Sequence, residues 1–236
     1  TEVISYASRN IYDTRPESEI GNLVTDGFLH HFDWTYNFGI TNLGFRDYFR
    51  QGNITIGDIV SVIPFENNLL EVTMTGDEIL QVLEESHGSY AYSGIRYRFY
   101  YDDNDLVIHS VGIYENGGFY ALSSSRSYKG LMADFCWWTW HLGLYSAIDT
   151  GVHYRTGVVE YLRTLEDITL YSMDGRINET DTVWTYDSHP TTTTTSATIT
   201  TTTSTIPPPD LSLFMWGAGV SVAVAAVVLI VLRKRH

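Results

Sequence analysis

Apolar positions in this chain switch repeatedly between a helical period and an alternating one. From Glu17 to Phe32, the residues Ile20, Leu23, Val24, Gly27, Phe28 and Phe32 fall on one stripe of a helix. Ile40 to Phe45 reads as a short strand running into a glycine turn, and Thr55 can cap a short helix through Val60. Leu70–Met74 alternates as a strand. Thr75-Gly76-Asp77-Glu78 has capping-box spacing, in which hydroxyl and carboxylate each take one orphan N–H, and it opens a helix to about Glu85. Further strands are predicted at Ile95–Tyr101 and Val107–Tyr114 around a turn at Asp102–Asp105, at Phe119–Ser123 and at Ile168–Ser172, with a helix over Thr156–Leu165. The interleaving, without internal repeat, predicts a single α/β (α+β) domain on a mixed sheet over residues 1–188.

The pattern changes after that point. Eleven of the fifteen residues from Thr191 to Thr205 are Thr, and Pro207-Pro208-Pro209 follows. Such a stretch has too little apolar surface to offset its ordering entropy, so 189–210 reads as an extended stalk, open to O-glycosylation. Residues 211–232 carry no charge and no Pro. As a helix they measure about 33 Å, enough for a hydrocarbon core of about 30 Å. Arg233, Lys234, Arg235 and His236 close the segment. By the positive-inside rule this tail (233–236) stays cytoplasmic, predicting a single-pass cell-membrane protein whose N-terminal domain faces outward, with the lipid bilayer as a partner. An outward domain needs an export signal, yet the chain starts Thr1-Glu2-Val3-Ile4, so its true N-terminus is expected upstream.

Charge narrows the partners. With 14 Lys+Arg against 28 Asp+Glu the net charge is −14, and three of the cations lie in the tail. Such a field repels nucleic acid, leaving a small ligand held by local Arg or backbone N–H groups. The single cysteine, Cys136, excludes an intrachain disulfide and sits among apolar residues, where a buried, inert thiol is expected. Asn53-Ile54-Thr55 and Asn178-Glu179-Thr180 are glycosylation sequons usable on an outward domain.

Seven segments, in order, carry a resemblance. They are Glu17-Ser18-Glu19-Ile20-Gly21-Asn22-Leu23-Val24-Thr25-Asp26, Asn42-Leu43-Gly44-Phe45-Arg46, Gly52-Asn53-Ile54-Thr55, Ile63-Pro64-Phe65-Glu66-Asn67, Thr75-Gly76-Asp77-Glu78, Ser93-Gly94-Ile95-Arg96-Tyr97 and Asp174-Gly175-Arg176-Ile177. Together they resemble the C-terminal, nucleotide-binding domain of the 5'-nucleotidase family. That resemblance implies a domain that holds the base and ribose of a nucleotide or nucleoside. A separate N-terminal metallophosphatase domain with two divalent metal ions would perform the hydrolysis. It implies Phe65 as one stacking aromatic, and Arg46 and Asn42 in the turn that approaches the nucleotide. It also implies Tyr128 as the second aromatic and Asp134, six residues on, as the loop carboxylate, with Arg15 near the first helix as a further contact. The family's glycines before that carboxylate are here Met132 and Ala133, which should reshape or fill that side of the pocket.

Catalytic chemistry is not apparent. A dinuclear centre needs clustered Asp, His and Asn ligands. Asp187-Ser188-His189 matches the D-x-H pattern by letter only, Gly21-Asn22 is followed by Leu23 rather than His, and His30-His31 reads as a helix face. Neither G-x-S-x-G nor a phosphate-binding loop occurs. Two expectations follow. The chain is the recognition half of a membrane-anchored 5'-nucleotidase-like hydrolase, with no catalytic or metal-ligating residue of its own. Alternatively it is a non-catalytic surface-binding or structural protein with a degenerate pocket, in keeping with Trp137-Trp138-Thr139-Trp140, a run that reads more readily as core than as a sugar-binding face.

Overall fold

Local signals start the helices. In the computed structural model, which describes residues 2–86, 88–139, 147–182 and 186, the Ser18 hydroxyl accepts the Gly21 N–H at 3.0 Å and opens α1 (Glu19–His31). Thr55 and Asp58 form a reciprocal capping box at α2 (Ile56–Val62). Thr75 and Glu78 do the same at α3 (Gly76–Ser86), where the Thr75 N–H donates to the Glu78 carboxylate at 2.6 Å. The remaining helices are α4 (Asp134–Thr139) and α5 (Tyr154–Thr164).

The strands are β1 (Val3–Ala7), β2 (Phe38–Asn42), β3 (Gly52–Thr55), β4 (Asn68–Thr75), β5 (Tyr90–Ser93), β6 (Ile95–Asp102), β7 (Asp105–Glu115), β8 (Gly118–Ala121), β9 (Ser127–Ala133), β10 (Ala147–His153) and β11 (Ile177–Glu179). They form not one mixed sheet but two, with a small ribbon beside them. A five-stranded sheet runs β10-β4-β9-β2-β5, in which β2 and β9 are parallel and the other pairs antiparallel. A four-stranded sheet runs β11-β6-β7-β8, with β11 parallel to β6. β1 and β3 pair as an antiparallel ribbon.

Strand alternation sorts side chains into two cores. Leu69 and Leu131 face the α1, α2 and α5 side, meeting Leu23, Phe28, Ile59 and Val158. Val72, Met74, Tyr128 and Met132 face the other way, onto Tyr97, Phe99 and Ile113 of the four-stranded sheet and Ile79 and Leu83 of α3. The fold is thus helices, sheet, then second sheet.

Residues 168–172 are not a strand. Ile168–Tyr171 is a 3-10 turn capped by the Asp167 carboxylate, which accepts the Thr169 N–H at 2.9 Å. Ile168 is buried while the consecutive Leu170 and Tyr171 are exposed, a spacing that alternation cannot produce. The stalk, the apolar segment 211–232, the basic tail, Asp187-Ser188-His189 and Trp140 lie outside the described residues. Among the described residues no helix is long and apolar enough to cross a membrane.

Candidate functional site: an aromatic cleft at the sheet edge

Where the end of β2, the loop leading into β4 and the first turn of α4 come together, a cleft of about 160 Å3 opens. Asn42, Gly44, Arg46, Phe65, Asn67 and Phe135 line it. Each side chain is placed by a local device. Asn42 ends β2, its N–H donating to Cys136 Sγ at 3.0 Å. The turn after it is pinned by the Arg46 N–H donating to the Val62 carbonyl at 2.9 Å. A Cβ at Gly44 would meet Asn42 Nδ2 at 2.7 Å, so a larger residue there would displace the Asn42 amide.

The Phe65 loop is held from α5. The Tyr154 N–H donates to the Asn67 carbonyl at 3.0 Å. Arg155 Nη1 donates to the carbonyls of Ile63 and Phe65, both at 3.1 Å, and its other terminal nitrogen pairs with Glu66. That guanidinium, followed by burial acting the other way, holds the Glu66 carboxyl below its usual range. Phe65 is half-buried, and the Arg46 guanidinium lies over its ring, 5.0 Å from the centroid. Arg46 is exposed and makes no ion pair or side-chain hydrogen bond among the described residues, so its fork of donors is uncommitted.

Phe135 supplies the second ring, and it was not among the residues singled out by sequence. It stands on the first turn of α4, 49 % exposed. Asp134 opens that helix and accepts the Asn68 N–H at 3.1 Å, tying α4 to the start of β4. Tyr128, the expected partner, is elsewhere. It is 2 % exposed in the second core, opposite Met74 in the sheet register, because the pleat of β9 turns it inward. Met132 shares that face and does not enter the cleft, so the expected filling of the pocket does not occur. Arg15 is also remote. It precedes a cis proline, pairs with Asp13 at 2.7 Å and lines a separate groove with Tyr97 and Phe99.

Other candidates resolve into structure. Cys136 is fully buried, and burial pushes its thiol up to about 12. His31 faces Glu160 on α5 and His30 lies against Tyr161, as a helix face would. Trp137 is partly buried against the second core, while Trp138 is 72 % exposed. Among the described residues no three His, Cys, Asp or Glu gather to hold a metal ion. The motif at Glu17–Asp26 meets the one at Asp174–Ile177. Arg176 holds Asp26 in a bidentate pair (2.9 and 3.0 Å), and the Glu17 carboxylate accepts the Asp174 N–H at 3.1 Å. These motif residues close the fold and do not line the cleft.

Residues 2–139 match the family described as 5'-nucleotidase, C-terminal domain. The chain belongs to that family. A crystal structure of a 5'-nucleotidase precursor from Thermus thermophilus matches with a TM-score of 0.66 at 25 % identity, over 78 % of this chain and 40 % of that one. The NAD nucleotidase of Haemophilus influenzae shares the fold with a TM-score of 0.60 at 15 % identity, over 76 % of this chain and 38 % of that protein. In sequence, a cell wall protein of Listeria monocytogenes is 31 % identical over 57 % of this chain and 20 % of its own length. A trifunctional nucleotide phosphoesterase of Bacillus subtilis is 33 % identical over 35 % of this chain and 6 % of its own. The chain therefore spans a fifth or less of these sequence relatives and about two fifths of the solved enzymes.

Proposed function

We propose that this family member recognises nucleosides or nucleotides, holding the base between Phe65 and Phe135 with Arg46 turned to the sugar-phosphate side and Asn42 and Asp134 shaping the rim. The carrying observation is the cleft itself: two aromatic side chains and an uncommitted guanidinium line one space. An apolar cavity of about 150 Å3 admits a benzene-sized ring, so 160 Å3 suits a base whose sugar and phosphate remain in solvent. Stacking on aromatic rings contributes about 1–3 kcal/mol per base in nucleic-acid sites. Hydrolysis of the phosphate ester would belong to a two-metal domain outside residues 1–236, and the whole would be displayed on the cell surface by the Thr-rich stalk and the 211–232 helix.

Calorimetry of the purified chain with AMP and adenosine tests the recognition reading. Phe65→Ala and Phe135→Ala are each expected to weaken binding at least tenfold, or about 1.4 kcal/mol. Absence of heat with any nucleoside or nucleotide up to millimolar concentration would overturn it. A second reading, a non-catalytic surface protein, is favoured by the exposed Trp138 and the name of the Listeria relative. It is the reading left standing by that negative result.

A further inference from the structure

Beside the aromatic cleft lies a second, smaller cavity. It shares Asn42, Gly44, Phe65 and Asn67 with the cleft and adds Thr41, Phe45, Ile63 and Tyr154. Its volume is about 10 Å3, close to the roughly 10–15 Å3 that one water occupies. Tyr154 is only 2 % exposed, and its hydroxyl has no well-formed hydrogen bond among the described residues. The Phe65 peptide is near enough to favour the phenolate slightly, but burial dominates and pushes the phenol up to about 12. A buried hydroxyl without a partner is uncommon in folded proteins. Two other polar groups nearby are engaged: Cys136 takes the Thr41 hydroxyl as well as the Asn42 N–H. The Cys136 thiol in turn faces Asn42 Oδ1 at 3.6 Å, which leaves Asn42 Nδ2 as a donor beside Gly44.

Resting on the cleft reading, we propose that Tyr154 is a specificity-determining residue, whose hydroxyl reads a polar substituent on the edge of the bound base, directly or through one water in the smaller cavity. The phenol stays neutral across the physiological range and can both donate and accept, so it matches an amino or a keto group. A ring carrying only C–H at that edge offers the hydroxyl no partner.

The test uses the full chain, with adenosine, inosine and purine riboside, which lacks the exocyclic group. Wild type is expected to bind at least one substituted nucleoside about tenfold more tightly than purine riboside, since a site built around a hydrogen bond rejects the analogue lacking it. Tyr154→Phe keeps the ring and is expected to bring the three affinities to within about twofold while leaving purine riboside unchanged. Because the hydroxyl has no well-formed hydrogen bond among the described residues, the variant's melting temperature is expected to equal or exceed that of wild type. Unchanged ranking in Tyr154→Phe, or equal affinities in wild type, would overturn the proposal while leaving the cleft reading intact. A melting temperature lowered by several degrees would overturn it too, because the hydroxyl would then be bonded within the fold. Binding of none of the three would remove the cleft reading itself.

Discussion

Cys136 follows Phe135 in α4, yet the two side chains face opposite worlds, one in the second core and the other half-exposed in the cleft. The thiol links core to site, because it receives the Asn42 N–H and so fixes the end of β2. Burial, ahead of the hydrogen bonds that act against it, pushes its pKa up to about 12, so at pH 8 almost none is thiolate. The native protein is therefore expected to release no colour with a thiol reagent over an hour, and one equivalent after denaturant is added. Rapid native-state reaction would show that the site opens far more readily than its burial implies.

Among the elements, α5 matters most to the cleft, since it bears both Tyr154 and Arg155. It crosses α1 at glycines: a Cβ on Gly157 would meet the Gly27 carbonyl oxygen at 2.5 Å, and one on Gly27 would meet the Val158 Cα at 2.8 Å. Backbone cannot yield as a side-chain tip can, so Gly27→Ala must part the helices, at a cost of about 1–3 kcal/mol. The expected loss in melting temperature, about 2–4 °C per kcal/mol for a domain of this size, is checked by calorimetry. Nucleoside affinity should fall with it, although Gly27 lies outside the cleft.

The same elements show what could be read from sequence. Caps at Thr55 and Thr75 are local hydrogen-bond patterns, legible in four residues, and their helices appear where expected. β1, β3 and β11 are three to five residues long and gain their identity from partners distant in sequence. The parallel pairing of β2 with β9 has no local signature at all. In the site, Phe65 and Arg46 stood in recognisable turns. Phe135 carries no such signal, because the six-residue spacing from Tyr128 to Asp134 points instead to a stacking Tyr and a loop carboxylate. Period-two alternation through β9 puts Tyr128 and Met132 on one face, in the second core, and leaves the cleft to the ring just past the strand end.

For the molecule as a whole, the closure between the chain's first helix and its last strand sets the acid limit. Arg176 and Asp26 are both largely buried, their side chains 7 % and 8 % exposed, and Asp174 bridges Arg176 to Arg96. Burial is the largest single effect on the Asp174 carboxyl and raises it, but the charges and hydrogen bonds of Arg176 and Arg96 together outweigh it and hold the carboxyl below its usual range. Glu19, opposed by burial but paired with Arg9, likewise sits below 4.5. A carboxylate whose native pKa is depressed contributes stability that is full above its unfolded value and lost as pH falls through the native one. The melting temperature is therefore expected to hold level from about pH 7 to pH 5 and to drop below about pH 4. Arg176→Ala leaves Asp26 buried without its cation, a loss of about 3–5 kcal/mol in comparable pairs. It also frees Asp174 from its strongest counter-charge, so the variant should be less stable at neutral pH but fall less steeply in acid. Parallel acid limbs in the two proteins would mean that the acid transition is governed elsewhere, and that this buried pair joins the two ends of the fold without setting its pH range.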